Sequence, residues 1–171
     1  TLNRLELTTI MYESLKKAGY PFEWYVMDQG STDGTVEWIR TKVDKCHLTE
    51  FHENRGISVA SNEAINQIET DGGYDFIIKI DNDCEVFSDK WLKKLLEIFI
   101  SHYMICLSPR VEGLIDNPGG MPRVAYKGLR GHTIGITRHI GGIFTMAHKT
   151  AYDGFRWDED DFFHALQDMM F

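Results

Sequence analysis

The chain has 171 residues, 43% of them apolar and 26% charged, with a formal net charge of −8. That is the composition of one ordinary globular domain with a proper core, and its acidic balance argues against non-specific nucleic-acid binding, which needs a basic patch. No apolar run approaches the roughly 18 residues of a membrane span, and no signal-peptide pattern is present. The three cysteines, Cys46, Cys84 and Cys106, lack zinc-ligand spacing and are expected as reduced thiols in a cytoplasmic setting.

In chain order, Leu5 to Ala18 is expected as a helix with Leu7, Ile10, Met11, Leu15 and Ala18 on one face and Gly19 as its stop. Pro21 leads into a strand, Phe22 to Met27, that ends at Asp28. The turn Gln29-Gly30-Ser31-Thr32-Asp33-Gly34-Thr35 is dense in small polar residues, and Val36, Ile39 and Val43 then restore helical spacing. A short strand from His47 to Phe51 ends in Glu53-Asn54-Arg55-Gly56. The helix after it carries Ile57, Ala60, Ala64, Ile65 and Ile68 on one side. Phe76 to Ile80, after Gly72-Gly73, reads as a buried strand that stops at Asp81-Asn82-Asp83. Ser88 is the expected N-cap of a helix from about Asp89 to Ser101. Tyr103 to Leu107 reads as a strand, and Val111 to Gly131 as a long loop at the ligand face. His132 to Ile136 and Gly142 to Ala147 are two further strands, and the chain returns to helix from Trp157.

Repeated strand–helix alternation calls for right-handed crossovers and a three-layer α/β/α domain with a mixed, mainly parallel central sheet. Three strand ends carry polar clusters: Asp28 with its glycine turn, Asn54-Arg55-Gly56, and Asp81-Asn82-Asp83. In a parallel sheet these ends share one edge, where open α/β sheets bind ligands. Each also has a structural explanation: a turn cap, turn glycines, a surface arginine, a solvated acidic turn. Two adjacent carboxylates repel unless a cation or donor lies between them, and hard ions such as Mg²⁺ or Mn²⁺ prefer oxygen ligands.

The ordered set resembles family 2 glycosyltransferases of the Rossmann-like GT-A fold. Thr1-Leu2-Asn3-Arg4 matches the end of that family's first strand. Asp28 to Thr35 matches its Asp-x-Gly-Ser-x-Asp-Gly-Thr turn, Asn54-Arg55-Gly56 with Asn62 its Asn-x-Gly…Asn segment, and Asp81-Asn82-Asp83 its Asp-x-Asp motif. The resemblance covers most of the chain and implies one GT-A domain over residues 1–171, begun where the first strand should be ending and lacking an acceptor-binding tail. It implies metal-dependent, inverting transfer of a sugar from a nucleotide-diphosphate sugar, expected as a UDP-sugar, to a carbohydrate or other hydroxyl acceptor. Asp28 would read the base, with Thr1, Asn3 and Arg4 lining the same pocket, and Arg55 would approach the nucleotide. Asp81 and Asn82 belong to the donor side, and Asp83 would bind Mn²⁺ or Mg²⁺. Gly141 and Gly142 match a glycine pair on the acceptor side. Asp168 is the best match to the family's general base, with Asp160 and Asp161 as rivals. Peripheral membrane association through segments outside this sequence is a further implication.

Two other enzyme-like readings fit less well. A haloacid-dehalogenase-like phosphatase has Thr or Val two residues after its Asp-x-Asp, where this chain has Glu85. An EF-hand loop starting at Asp81 needs Gly at its sixth position, where Val86 stands. From a different class, a non-catalytic nucleotide-sugar binding module, or part of a larger polysaccharide synthase, is the alternative that only an activity assay separates.

Overall fold

A computed structural model describes residues 1–102, 104–109, 125–129, 132–136 and 142–159. Its helices are α1 (Leu5–Leu15), α2 (Thr35–Lys42), α3 (Ile57–Asp71) and α4 (Trp91–His102). The strands are β1 (Trp24–Asp28), β2 (Cys46–Glu50), β3 (Phe76–Ile80), β4 (Cys106–Leu107), β5 (Ala125–Leu129), β6 (His132–Ile136) and β7 (Phe144–His148). β1 and β2 pair in parallel, with Asp28 opposite Glu50. β3, β7 and β4 form an antiparallel sheet in that order, and β5 pairs with β6.

Period-2 alternation distributes the core between two faces. Phe76, Ile78 and Ile80 of β3, with Phe144 and Met146 of β7, pack towards Met11, Leu15, Trp91, Leu92, Leu95 and Phe99 of α1 and α4. Ile77 and Ala147, one residue out of phase, face Ile65 of α3 together with Tyr152 and Trp157. Helices therefore cover both faces of the sheet, which is the three-layer arrangement. An elongated cavity of about 1840 Å³ separates β1 from β3, lined by Trp24 to Met27 on one side and Phe76 to Ile80 on the other. Among the described residues no helix is long and apolar enough to cross a membrane.

Several expectations change. The buried stripe of α1 is Thr8, Met11, Tyr12 and Leu15, while Leu7 and Ile10 are more than 40% exposed. The i, i+3, i+4, i+7 spacing is kept, but a threonine and a tyrosine occupy it because Tyr12 packs edge-on against Trp24 and Trp38. Ser88 does not open α4. Its hydroxyl accepts from Lys94 Nζ at 2.7 Å, and the helix starts at Trp91 after Lys90, which has φ +55°. The stretch from 111 to 131 is not all loop, since β5 lies within it. That strand exists through its pairing with β6, a contact that its own Lys127 and Gly128 do not announce. Trp157 to Glu159 is not helical, because the Trp157 N–H and C=O both bond to Asn62.

Helices α1 and α2 share one carboxylate. Asp33 Oδ2 accepts the Leu5 N–H at 3.0 Å, and Oδ1 accepts the Thr35 N–H at 3.0 Å and the Thr35 hydroxyl at 2.5 Å. These bonds, the Thr35 hydroxyl foremost, hold the Asp33 carboxyl below its ordinary value of 3.8. Asp33→Ala should lower unfolding free energy by roughly 1 kcal/mol at pH 7, as loss of an exposed helix cap does. Because the folded value is depressed, the difference between the two proteins is complete above pH 3.8 and vanishes as pH falls through that lower value. Denaturant titrations of both proteins across acid pH measure it.

Candidate active site

The site is built on the ends of β1 and β3. Asp28 closes β1 and is 1% exposed. Its Oδ2 accepts the N–H groups of Gly30 at 3.0 Å and Ser31 at 2.8 Å, which curls the chain back over the strand end. Gly30 is required there twice over. Its φ is +88°, and a Cβ would lie 3.2 Å from the His52 carbonyl oxygen. The other carboxylate oxygen, Asp28 Oδ1, is buried with no hydrogen-bond partner.

Gln29, 7% exposed, joins this turn to the next strand end. Its Nε2 donates to the Gly56 carbonyl and its Oε1 accepts the Arg55 N–H, both at 2.9 Å. Phe51 N–H donates to the Asp28 carbonyl at 2.8 Å, extending the parallel register beyond β1 and β2. The Asn54-Arg55-Gly56 turn is thereby held beside Asp28. The Arg55 guanidinium lies over the Phe51 ring, 5.3 Å from its centroid.

Thr1 connects both sheet ends. Its nitrogen donates to the Met27 carbonyl at 2.6 Å, and its carbonyl accepts from Gln29 N–H at 2.8 Å, the bonding of a parallel bridge to Asp28. On its other side the Thr1 hydroxyl accepts from Asn82 Nδ2 at 2.9 Å. Asn3 accepts the Thr32 N–H at 2.7 Å and donates its own N–H to Ser31 Oγ at 2.9 Å. Thr1, Asn3, Arg4, Asp28, the Arg55 backbone, Asp81, Asn82 and Asp83 therefore gather around the ends of β1 and β3, which belong to two separate sheets joined here through Thr1.

Both carboxylates after β3 carry a cation of the chain itself. Lys79 Nζ lies 2.7 Å from Asp81 Oδ1 and 2.6 Å from the Gly142 carbonyl, and its side chain is only 17% exposed. Asp81 N–H donates to the Ile143 carbonyl at 2.8 Å, so the approach to β7 is fastened to the end of β3. Arg4 Nη1 lies 2.5 Å from Asp83 Oδ2. Cys84 next door is no soft ligand, since burial first, then Asp81 and Asp83, push its thiol up to about 11. Among the described residues there is no cluster of three or more His, Cys, Asp or Glu that could hold a metal ion. Asp81 and Asp83 offer hard oxygens, which suits Mg²⁺ or Mn²⁺, but further ligands must come from a bound diphosphate and water. Gly141, Asp160, Asp161 and Asp168 lie outside the described residues.

Polar strand ends carrying Asp28, Asp81 and Asp83, with helices on both faces of the β3 sheet, are those of an α/β domain that binds its ligand at strand ends. The chain belongs to glycosyl transferase family 2, whose family model matches residues 1–154. No curated protein matches it. The GT-A fold is shared with the mannosyltransferase PcManGT from Pyrobaculum calidifontis, solved in complex with GDP-Man and Mn²⁺. The two are 17% identical with a TM-score of 0.65, and the match covers 94% of this chain and 46% of the mannosyltransferase. The chain thus spans about half the length of that protein.

One contact had no sequence signal strong enough to find it, and another was quoted in a motif match without its partners. Gln29 fills the unspecified position of the Asp-x-Gly turn, yet its amide is the tie between two strand ends. Asn62, buried in α3, donates to the Trp157 carbonyl at 2.9 Å and Glu159 Oε1 at 2.8 Å, and accepts the Trp157 N–H at 2.9 Å. Asn62→Leu should lower unfolding free energy by about 3 kcal/mol, because it leaves a buried N–H and C=O unpaired. Denaturant unfolding measures the loss, and hydrogen exchange at the Trp157 amide should rise with it.

Proposed function

We propose that this domain transfers a sugar from a UDP-sugar, with inversion and with Mn²⁺ or Mg²⁺, to a hydroxyl acceptor. The observation that carries the reading is Asp28 Oδ1, a buried acceptor without a hydrogen-bond partner at the end of β1. An orphaned carboxylate oxygen is expensive unless a ligand completes it. A uracil presents one imide N–H, matching the single free oxygen, whereas guanine presents two adjacent N–H groups and suits a carboxylate with both oxygens free. Oδ2 is already committed to Gly30 and Ser31. That argument favours uridine here, although the solved mannosyltransferase holds GDP-Man.

Asp81, kept in place by Lys79, would accept from the ribose, and Asp83 would hold the cation. With Mn²⁺ or Mg²⁺ bound, the charge that develops on the departing diphosphate is stabilised without proton transfer. Asp168 takes the proton of the acceptor hydroxyl as that oxygen attacks the anomeric carbon from the face opposite the leaving group. Gly141 and Gly142 border the acceptor.

Asp28→Asn should weaken Mn²⁺-dependent UDP binding by about 10- to 100-fold, the value of a hydrogen bond to a charged group. Asp83→Asn should remove the metal dependence of that binding. Calorimetry with UDP and GDP, each with and without Mn²⁺, measures both. Tighter GDP binding would reject the uridine assignment, and equal binding with and without metal would reject the Asp83 role. In transfer assays Asp168→Asn should cut turnover by about 10²–10⁴-fold with donor affinity unchanged. Full activity in that variant, with loss in Asp161→Asn instead, would place the base at Asp161. Donor binding without any transfer or hydrolysis would favour a non-catalytic module.

A further inference from the structure

We infer that Arg4 is the resident counter-ion of Asp83 in the donor-free domain and moves to the donor's diphosphate when metal and nucleotide bind. This rests on the proposed donor site and assigns Arg4 to the phosphates, away from the base pocket.

The backbone around Arg4 is held on every side. Asn3 is fixed to Ser31 and Thr32, Leu5 N–H is held by Asp33, and the Arg4 carbonyl accepts the Thr8 N–H at 2.8 Å. The side chain, in contrast, reaches outward, 47% exposed, and among the described residues it pairs with Asp83, itself 45% exposed. A long side chain on a fixed backbone, pairing with a carboxylate at an exposed strand end, changes partner by rotating about its own bonds. Its guanidinium fork fits phosphate as well as carboxylate. Lys79 is the useful contrast. It is 17% exposed, bonded to Asp81 and the Gly142 carbonyl together, and has no such freedom.

The exchange follows from charge. Arg4 and a divalent cation cannot both lie against one Asp83 carboxylate without repelling each other. The described residues supply few metal ligands, so metal alone has to displace Arg4 for little return. A diphosphate changes both terms, because it brings oxygen ligands for the metal and a new partner for Arg4. Metal and nucleotide then strengthen each other's binding through this one side chain, and the coupling is reciprocal.

The test reads Mn²⁺ binding by the chain without any turnover, from the electron paramagnetic resonance signal of free Mn²⁺. Arg4→Ala should bind Mn²⁺ alone about three- to tenfold more tightly than the parent, the range expected for removing one exposed cation from a carboxylate. The same variant should bind UDP in the presence of Mn²⁺ more weakly, and UDP should enhance its Mn²⁺ affinity less than in the parent. Arg4→Lys, which keeps the charge, should restore weak Mn²⁺ binding. A damaged fold would weaken Mn²⁺ binding and so runs opposite to the expected result. Lys17→Ala removes the same charge from just beyond the far end of α1 and should leave Mn²⁺ affinity unchanged. Equal tightening in that variant would reduce the effect to net charge and overturn the inference. So would an Arg4→Ala protein that binds Mn²⁺ no better than the parent, while Asp83→Asn abolishes binding. If parent and Arg4→Ala both ignore Mn²⁺, with or without UDP, the metal site itself fails and the inference falls with it.

Discussion

A carboxylate buried at a strand end is the constraint on which this site depends. Asp28 is almost fully shielded from water, and burying a charge there costs several kcal/mol unless it is paired or hydrogen-bonded. Two backbone N–H groups answer part of that demand, and they do so only if the chain doubles back immediately after β1. The doubling back requires Gly30 at positive φ, packed against the His52 carbonyl. It also delivers Ser31 and Thr32 to Asn3, and Asp33 to the starts of both α1 and α2. Removing that carboxylate from the sequence would therefore disturb more than a ligand contact. The turn, two helix starts and the entry of the chain all take their positions from it.

Charge balance gives the second layer of organisation. The chain is acidic overall, yet the two carboxylates after β3 are each matched by a cation drawn from elsewhere. Lys79 is local, two residues before its partner, while Arg4 comes from 79 residues upstream of Asp83. Without such cations, two like charges one residue apart would resist sharing a strand end.

Much of this was legible from local sequence. The glycine turn after Asp28, the apolar run before Asp81 and the segment Asn54 to Gly56 each encode their conformation within a few residues, because turn chemistry and strand propensity are local properties. What was not legible depends on residues far apart. The pairing of β3 with β7 joins Ile80 to Phe144, and Arg4 meets Asp83 across 79 positions. The wrong face for α1 has the same origin. Leu7 and Ile10 are apolar enough to be core, but the partners Trp24 and Trp38 select Tyr12 instead. β5 was missed because a strand with lysine and glycine inside it owes its existence to the strand beside it. Trp157 to Glu159, where the expected helix would begin, are not helical because Asn62, 95 residues upstream, takes the Trp157 N–H and C=O.

Helix α3 draws these observations into one mechanical argument. It begins at Gly56, whose carbonyl is held by Gln29, so its first turn is fixed to the donor edge. Asn62, on its second turn, grips the backbone of Trp157 from both sides and the carboxylate of Glu159. Farther along, Asn66 and Glu69 both take the Arg156 guanidinium. A helix is stiff over these three turns, and Ile65 anchors it in the core with Tyr152 and Trp157. The strand end that would read the base and the segment that leads towards the candidate bases are consequently tied to one rigid rod. The spacing between the turn after β1 and the Trp157 backbone is therefore set by α3, with the buried Asn62 holding its far side.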